Sequence, residues 1–288
     1  MKVFIRATKD NFPETEIEYA AFQGFSALGF KPVFFTNESE LDECRPDDLI
    51  VGGVSTITRK MESYGIPLTE YDYPESLRWF FGRKIWRDNL EAVLSEKEKW
   101  PVFVKPIRDK AFIGFVLNKE SDVPRLYRAK SDEPVYCSEL VDFDTEWRVF
   151  VRYGNVIDVR PYKGDWKKQY DPELIEQAVR DFYYDAPAGY SMDIGVTSKE
   201  ETLLVEVNDG FALGTYGLDP IQYAKLLSAR WCELVGIYDE CDQYHESVDW
   251  KKEKARIERW EGITSEPIKF RKLTEQEISQ LKYEKRIQ

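Results

Sequence analysis

The sequence predicts a mixed α/β protein of the α+β type, in which a small α/β lobe precedes a core of antiparallel strands and a helical C-terminal arm. Strand and helix patterns alternate over residues 1–75, which is typical of a lobe with a parallel sheet. Apolar and polar residues alternate on both sides of short polar turns in residues 144–162 and 191–210, which predicts antiparallel hairpins. Charged residues dominate the end of the chain. We therefore expect three segments, which are 1–75, 76–238 and 239–288.

The N-terminal lobe is predicted to contain three strands joined by helices, and such connections make the sheet parallel. The predicted strands are 3–7, 32–35 and 48–53, and the predicted helices are 14–28 and 55–64. The pair Gly52-Gly53 could form a phosphate loop or a turn. A turn is favoured, because neither glycine-rich phosphate-binding motif is present.

The core is predicted to begin after a linker at residues 71–76, with a helix over residues 77–95. Two cations, Arg83 and Lys84, follow Gly82 in this helix. They either form a solvated helix start or reach a phosphate group.

A strand at residues 100–106 ends on Lys105, where an apolar residue would normally continue the pattern. Its ammonium group therefore either extends to the surface or faces an anion. The loop at 109–116 could close over phosphates, and another strand is predicted at 133–141.

A hairpin is predicted from strands 144–152 and 156–162, joined by Tyr153-Gly154-Asn155. Alternation places Glu146, Arg148 and Arg152 on one face. Arginine is costly on a covered sheet face unless it meets an anion. The alternative is that Arg148 forms an internal salt bridge with Glu146 or its neighbours.

A second hairpin, formed by residues 191–196 and 203–210, carries the candidate metal ligands. Glu206 and Asn208 are two residues apart and share a face, and the hairpin brings Asp193 close to Glu206. Three oxygen ligands of this kind suit Mg²⁺, which keeps water and phosphate oxygens at its other positions. Alternatively, these are solvent-facing residues of an ordinary amphipathic hairpin.

Helices are also predicted at residues 169–184 and 220–236, on either side of this second hairpin. The first is opened by Asp171-Pro172, a good N-cap followed by a good first helical residue. The segment 239–288 has few apolar anchors and is a candidate contact with a second copy of the chain or with a partner.

The composition argues against several classes of site. The 288 residues include 41 basic and 53 acidic side chains, a net charge of −12, whereas general nucleic-acid binding needs a basic surface. The four cysteines have no Cys-x-x-Cys spacing and His245 is the single histidine, so zinc fingers and Ser-His-Asp chemistry are disfavoured. We find no signal segment and no apolar run of about 18 residues. We expect a cytoplasmic protein without membrane association.

The order of these motifs resembles the ATP-grasp superfamily, most closely the subgroup named for two arginines and one lysine. The resemblance covers residues 75–236, and the motifs are Lys105-Pro106, Ser138-Glu139-Leu140-Val141, Glu146-x-Arg148, Asp193-Ile194-Gly195 and Glu206-Val207-Asn208. It implies an ATP-grasp fold, in which an N-terminal α/β lobe is followed by a two-lobed nucleotide-binding core with antiparallel sheets. It also implies ATP and Mg²⁺ as cofactors.

The resemblance assigns roles by position. Lys105, with Lys84 as a second cation, would contact the α- and β-phosphates. The backbone of Glu139 and Leu140 would bind adenine, and Asp142 or Glu146 would bind the ribose. The remaining assignments are Asp193, Glu206 and Asn208 for Mg²⁺, Arg148 and Arg160 for the γ-phosphate or the substrate carboxylate, and Lys110 for a loop with fewer glycines than many relatives have.

The implied function is an ATP- and Mg²⁺-dependent ligase that joins a carboxylate to an amine or a thiol through an acylphosphate, with a peptide or protein as a candidate acceptor. Such chemistry needs positioning, a metal and cations rather than a histidine or cysteine nucleophile. Two alternatives remain open. One is a phosphotransferase that uses the same nucleotide site, and the other is a non-catalytic scaffold that binds a nucleotide or a partner.

Overall fold

The computed structural model describes residues 1–107, 112–126 and 129–242. Its strands are β1 (Val3–Arg6), β2 (Val33–Phe35), β3 (Leu49–Val51), β4 (Ile85–Asn89), β5 (Val102–Pro106), β6 (Phe115–Leu117), β7 (Pro134–Ser138), β8 (Phe143–Arg152), β9 (Asn155–Gly164), β10 (Gly189–Thr197) and β11 (Thr202–Asp209). Its α-helices are α1 (Glu16–Ala27), α2 (Val54–Ser63), α3 (Leu90–Ser95), α4 (Pro172–Phe182) and α5 (Pro220–Val235). Short 3-10 helices occur at Glu38–Leu41, Glu75–Phe80, Lys97–Lys99, Glu120–Leu126 and Glu240–Asp242.

The N-terminal lobe contains the predicted parallel sheet, with strand order β2-β1-β3. Helix α1 begins with a capping box, in which the Thr15 hydroxyl accepts from Ile17 N and the Glu18 carboxylate accepts from Thr15 N. The lobe shares one hydrophobic cluster with α5 and with Phe150 of β8. The lobe is therefore attached to the rest of the chain by apolar packing.

A four-stranded antiparallel sheet, with order β4-β7-β5-β6, forms the first part of the core. The single helix predicted for residues 77–95 is wrong, because this stretch contains the end of a 3-10 helix, then β4 and then α3. Gly82 has a φ of 59°, and a Cβ there would lie 2.5 Å from Leu203 Cδ2, so the helix cannot continue through it. The residues of β4 pair with β7 along their whole length. The Asn89 side chain then caps α3.

The second antiparallel sheet has the order β11-β10-β8-β9 and contains both predicted hairpins. Tyr153 and Gly154 form the turn between β8 and β9, with φ values of 49° and 70°. Two consecutive positive φ angles match the twist of a tight hairpin. Strand β10 lies between β8 and β11 and is buried along its whole length.

The two faces of this second sheet have different surroundings. Helix α4 covers the face that carries Val149, Val151 and Met192. On the other face, Phe150 packs against residues of α5. Arg148 lies two residues before Phe150 in β8 and so shares this second face.

Some predictions lie outside the described residues. These are the role of Lys110 and the nature of the C-terminal arm beyond residue 242. Among the residues that the structure describes, no helix has the length and apolar character that a membrane span requires.

Candidate active site

One row of charged residues crosses all four strands of the second sheet. In register, Arg160 of β9 lies opposite Arg148 of β8, Arg148 lies opposite Asp193 of β10, and Asp193 lies opposite Glu206 of β11. Residues directly opposite each other in a sheet point to the same face. The row therefore presents two cations and then two carboxylates on the face that also carries Phe150.

The centre of the row is a buried ion pair. Arg148 Nε donates to Asp193 Oδ1 and Nη2 donates to Oδ2, both at 2.7 Å. The internal salt bridge considered for Arg148 therefore exists, but its partner is Asp193 rather than Glu146. Arg148 Nη1 has no hydrogen-bond acceptor among the described residues. Burial raises the pKa of Asp193, and the Arg148 guanidinium opposes that effect.

Arg160 extends the positive end of the row toward solvent. Its Nη2 lies 2.6 Å from Asp158 Oδ2, and its side chain is 39% exposed. Each of the two opposed guanidinium groups has a carboxylate partner, Asp193 for Arg148 and Asp158 for Arg160. An anion bound by both arginines would add charge-assisted hydrogen bonds.

Lys105 connects the two antiparallel sheets. Its Nζ lies 2.6 Å from Glu206 Oε2 and 2.9 Å from Asp72 Oδ2, and 4.7 Å from the centre of the Tyr73 ring. Burial acts to lower the pKa of Lys105, but the neighbouring anionic groups, Glu206 first among them, outweigh burial and raise it. Lys105 is therefore charged and points into the space between the sheets.

Asp72 comes from the segment predicted as a linker, and no pattern in the sequence marked it. Its backbone carbonyl accepts a hydrogen bond from Val207 N at 3.0 Å. This bond ties the segment to the edge of β11 and holds the Asp72 carboxylate beside Lys105.

A second row crosses the first sheet and ends on the same lysine. Arg87 of β4 lies opposite Tyr136 of β7, and Tyr136 lies opposite Lys105 of β5. Arg87 Nη2 donates to the Tyr136 hydroxyl at 2.6 Å and to Glu70 Oε2 at 3.1 Å. The sequence did not indicate Arg87, because the residues of β4 were assigned to a helix. Tyr136 lies on a predicted strand, but nothing in the sequence showed that it aligns with Lys105.

The predicted adenine-binding segment lies where β4 and β7 meet. Lys84 N donates to the Glu139 side chain at 2.9 Å, and Glu139 N donates to Lys84 O at 3.0 Å. The Lys84 ammonium lies 5.4 Å from the Trp86 ring. Arg83 instead donates to the carbonyls of Leu204 and Val205 in β11, so its guanidinium binds protein backbone.

The structure separates the two candidates for a ribose contact. Asp142 is exposed and lies two residues after Leu140. Glu146 is buried, and it accepts hydrogen bonds from the Tyr162 hydroxyl at 2.6 Å and from the Lys163 ammonium. Glu146 therefore lies on the arginine side of the site.

The predicted metal ligands lie together on β10 and β11. Asp193 is opposite Glu206, and Asn208 Nδ2 lies 3.3 Å from Asp193 Oδ2. Among the described residues, no group of three or more His, Cys, Asp or Glu side chains could hold a metal ion. The predicted set contains two carboxylates and one amide, which are hard oxygen donors of the kind that Mg²⁺ prefers. In its donor chemistry the set fits a magnesium ion that keeps phosphate and water oxygens.

An α/β lobe followed by two antiparallel sheets, with a lysine of one sheet facing carboxylates of the other, is the architecture of an ATP-grasp domain. The family model for the ATP-grasp domain, R2K clade family 2, matches residues 80–226, and the chain belongs to this family. No curated protein matches the sequence.

Solved structures agree with this fold. D-alanine–D-alanine ligase from Bacillus anthracis complexed with ATP has a TM-score of 0.51 and 14% identity, over 82% of this chain and 96% of that chain. N5-carboxyaminoimidazole synthetase from Staphylococcus aureus has a TM-score of 0.51 and 12% identity, over 83% of this chain and 78% of that chain. At such low identities the similarity is one of fold alone.

Proposed function

We propose that the protein is an ATP- and Mg²⁺-dependent ligase that joins a carboxylate to an amine or a thiol through an acylphosphate. The observation that carries the proposal is the row from Arg160 to Glu206. Two arginines at one end suit a transferring phosphoryl group and a carboxylate, and the acidic end suits a divalent cation. The match to an ATP-grasp domain over residues 80–226 supports the use of ATP by this part of the chain.

The nucleotide is proposed to bind between the two antiparallel sheets. Lys105 would contact the α- and β-phosphates in place of one of its present carboxylate partners, with Lys84 as a second cation. Adenine would bind the backbone near Leu140, whose side chain is 44% exposed. Exposed Asp142 is better placed than Glu146 for the ribose, because the Glu146 carboxylate already binds Tyr162 and Lys163.

Asp193, Glu206 and Asn208 would hold Mg²⁺. When bound, the ion would neutralise phosphate oxygens of ATP during transfer. The protein would contribute fixed positions, since Asp193 is already oriented by Arg148 and by Asn208. Such pre-positioned charges need little rearrangement during the reaction.

The proposed reaction has two balanced steps. A substrate carboxylate oxygen attacks the γ-phosphorus, and the bond to the bridging oxygen breaks so that ADP leaves. The amine nitrogen then attacks the acyl carbon, the carbon–oxygen bond to phosphate breaks, and the nitrogen loses a proton. Arg148 and Arg160 would hold the carboxylate and the phosphoryl group in line, which is how positioning lowers such barriers.

The test is to incubate the protein with Mg-ATP, a panel of carboxylates including peptides, and hydroxylamine, which traps an acylphosphate as a hydroxamate. We expect ADP release together with hydroxamate for at least one carboxylate. Glu206→Gln should lower that rate at least about tenfold. The matched control is Glu120→Gln, because Glu120 is also paired with a lysine but is exposed. ADP formation with a phosphorylated hydroxyl and no hydroxamate would contradict the ligase assignment in favour of a phosphotransferase.

A further inference from the structure

Two tyrosines lie around the Arg148 guanidinium. Its central carbon is 4.8 Å from the centre of the Tyr216 ring and 5.7 Å from the centre of the Tyr162 ring. The two rings are 5.1 Å apart with a tilt of 34°. We call Tyr162 and Tyr216 the aromatic clamp.

Tyr216 lies in a turn with an uncommon backbone conformation, which sets the direction of its side chain. Tyr216 has a φ of 44°, which is uncommon for a large side chain, and Gly217 follows with a φ of 82°. A Cβ on Gly214 would lie 3.1 Å from the Tyr216 ring, so the glycine leaves room for it. Strained residues of this kind cost about 1–3 kcal/mol and cluster at functional sites.

A β-bulge and a hydrogen bond fix the position of Tyr162. The pairing of β8 with β9 shifts at Glu146/Trp147, which leaves Tyr162 as the extra residue of a β-bulge. Its hydroxyl donates to Glu146 at 2.6 Å, and Glu146 is also bonded to Lys163. The Tyr162 ring therefore has little freedom to move away from Arg148.

The clamp and Asp193 together constrain the arginine. Asp193 occupies Nε and Nη2 of Arg148, which fixes the guanidinium in its plane. The aromatic rings limit rotation out of that plane, and cation–π contact favours the charged group at this position. Nη1 is the nitrogen left without an acceptor among the described residues.

We propose that Tyr216, supported by Tyr162, is a positioning residue that aims Arg148 Nη1 at the transferred phosphoryl group. This inference rests on the proposed function. Tyr216 is 42% exposed, so its ring also borders the open side of the site. Its effect should therefore appear when a γ-phosphoryl mimic is bound and should be small when the nucleotide ends at the β-phosphate.

The experiment compares calorimetric binding of Mg-ADP with binding of Mg-ADP plus aluminium fluoride, which mimics the transferring phosphoryl group. For Tyr216→Ala we expect Mg-ADP affinity within about twofold of the wild type and a roughly tenfold weaker fluoride complex. Tyr216→Phe keeps the ring and should bind both within about twofold. Tyr216→Leu keeps much of the side-chain volume without the ring and should behave like the alanine variant.

The matched control is Trp79→Ala, because Trp79 also stacks on an arginine, Arg78, but is 79% exposed and does not contact Arg148. It should change neither affinity. An unchanged fluoride complex in both Tyr216→Ala and Tyr216→Leu, or an equal loss of both affinities, would overturn the inference alone. Failure of the intact protein to bind Mg-ADP would instead overturn the proposed function, and the inference with it.

Discussion

Replacing Asp193 with asparagine should destabilise the protein strongly, because it removes the partner of a buried charge. Arg148 is 8% exposed and Asp193 is 3% exposed, and two hydrogen bonds of 2.7 Å join them. Hydrogen bonds to charged groups contribute about 1.5–3 kcal/mol each. Leaving one member of a buried pair uncompensated costs about 3–5 kcal/mol. Glu206 lies opposite Asp193 and offsets part of this loss, so we expect about 3 kcal/mol.

The assay is urea unfolding at neutral pH, with Arg148→Met and the double variant completing a double-mutant cycle. Because the methionine leaves no charge behind, the double variant should be more stable than Asp193→Asn alone. The control is Glu176→Gln, which breaks the exposed pair with Arg180 and should cost less than about 0.5 kcal/mol. A cost below about 1 kcal/mol for Asp193→Asn, or strict additivity in the cycle, would refute the reasoning.

Two further predictions concern buried groups that are not members of the row. Tyr190 is fully buried and its hydroxyl has no hydrogen-bond partner among the described residues, so Tyr190→Phe should raise the free energy of unfolding by about 1 kcal/mol in the same urea assay. A loss of stability would contradict this. Burial raises the pKa of the Cys241 thiol to about 11, above the usual value of about 8.5. The folded state therefore binds the thiol proton more tightly than the unfolded state does. The contribution of the protonated Cys241 thiol to stability should decrease as pH rises from about 8.5 to about 11. The free energy of unfolding, measured across that pH range, should depend less on pH in Cys241→Ala than in the wild type. An identical pH dependence in both proteins would contradict this prediction.

The two hairpins and their ligand residues could be predicted because a strand has a period of two. Alternation alone placed Glu206 and Asn208 on one face, and the short polar turn placed Asp193 opposite Glu206. The pattern does not predict that Arg148 aligns with Asp193, nor that Arg148 prefers Asp193 over Glu146. That preference depends on a contact between strands that are not neighbours in sequence.

Features that depend on distant parts of the chain could not be predicted. The local sequence of β4 is typical of a helix. The strand conformation is determined by pairing with β7, about 50 residues later in the chain. Asp72 reaches Lys105 because its backbone is bonded to the edge of β11. The hydrogen bond between Lys105 and Glu206 joins residues 101 positions apart. It depends on how the two sheets pack together, which no local sequence pattern specifies.

The most direct test of the nucleotide site is calorimetric titration of Mg-ATP into the intact protein and into Lys105→Ala. Because Lys105 lies between the two sheets beside Glu206, we expect binding by the intact protein that requires Mg²⁺. The variant should bind at least about tenfold more weakly, provided that its thermal unfolding shows it to be folded. Lys97→Ala, which removes a lysine from the exposed Glu120 pair, should bind like the intact protein. No binding by the intact protein, or equal binding by Lys105→Ala, would contradict a nucleotide site between these sheets.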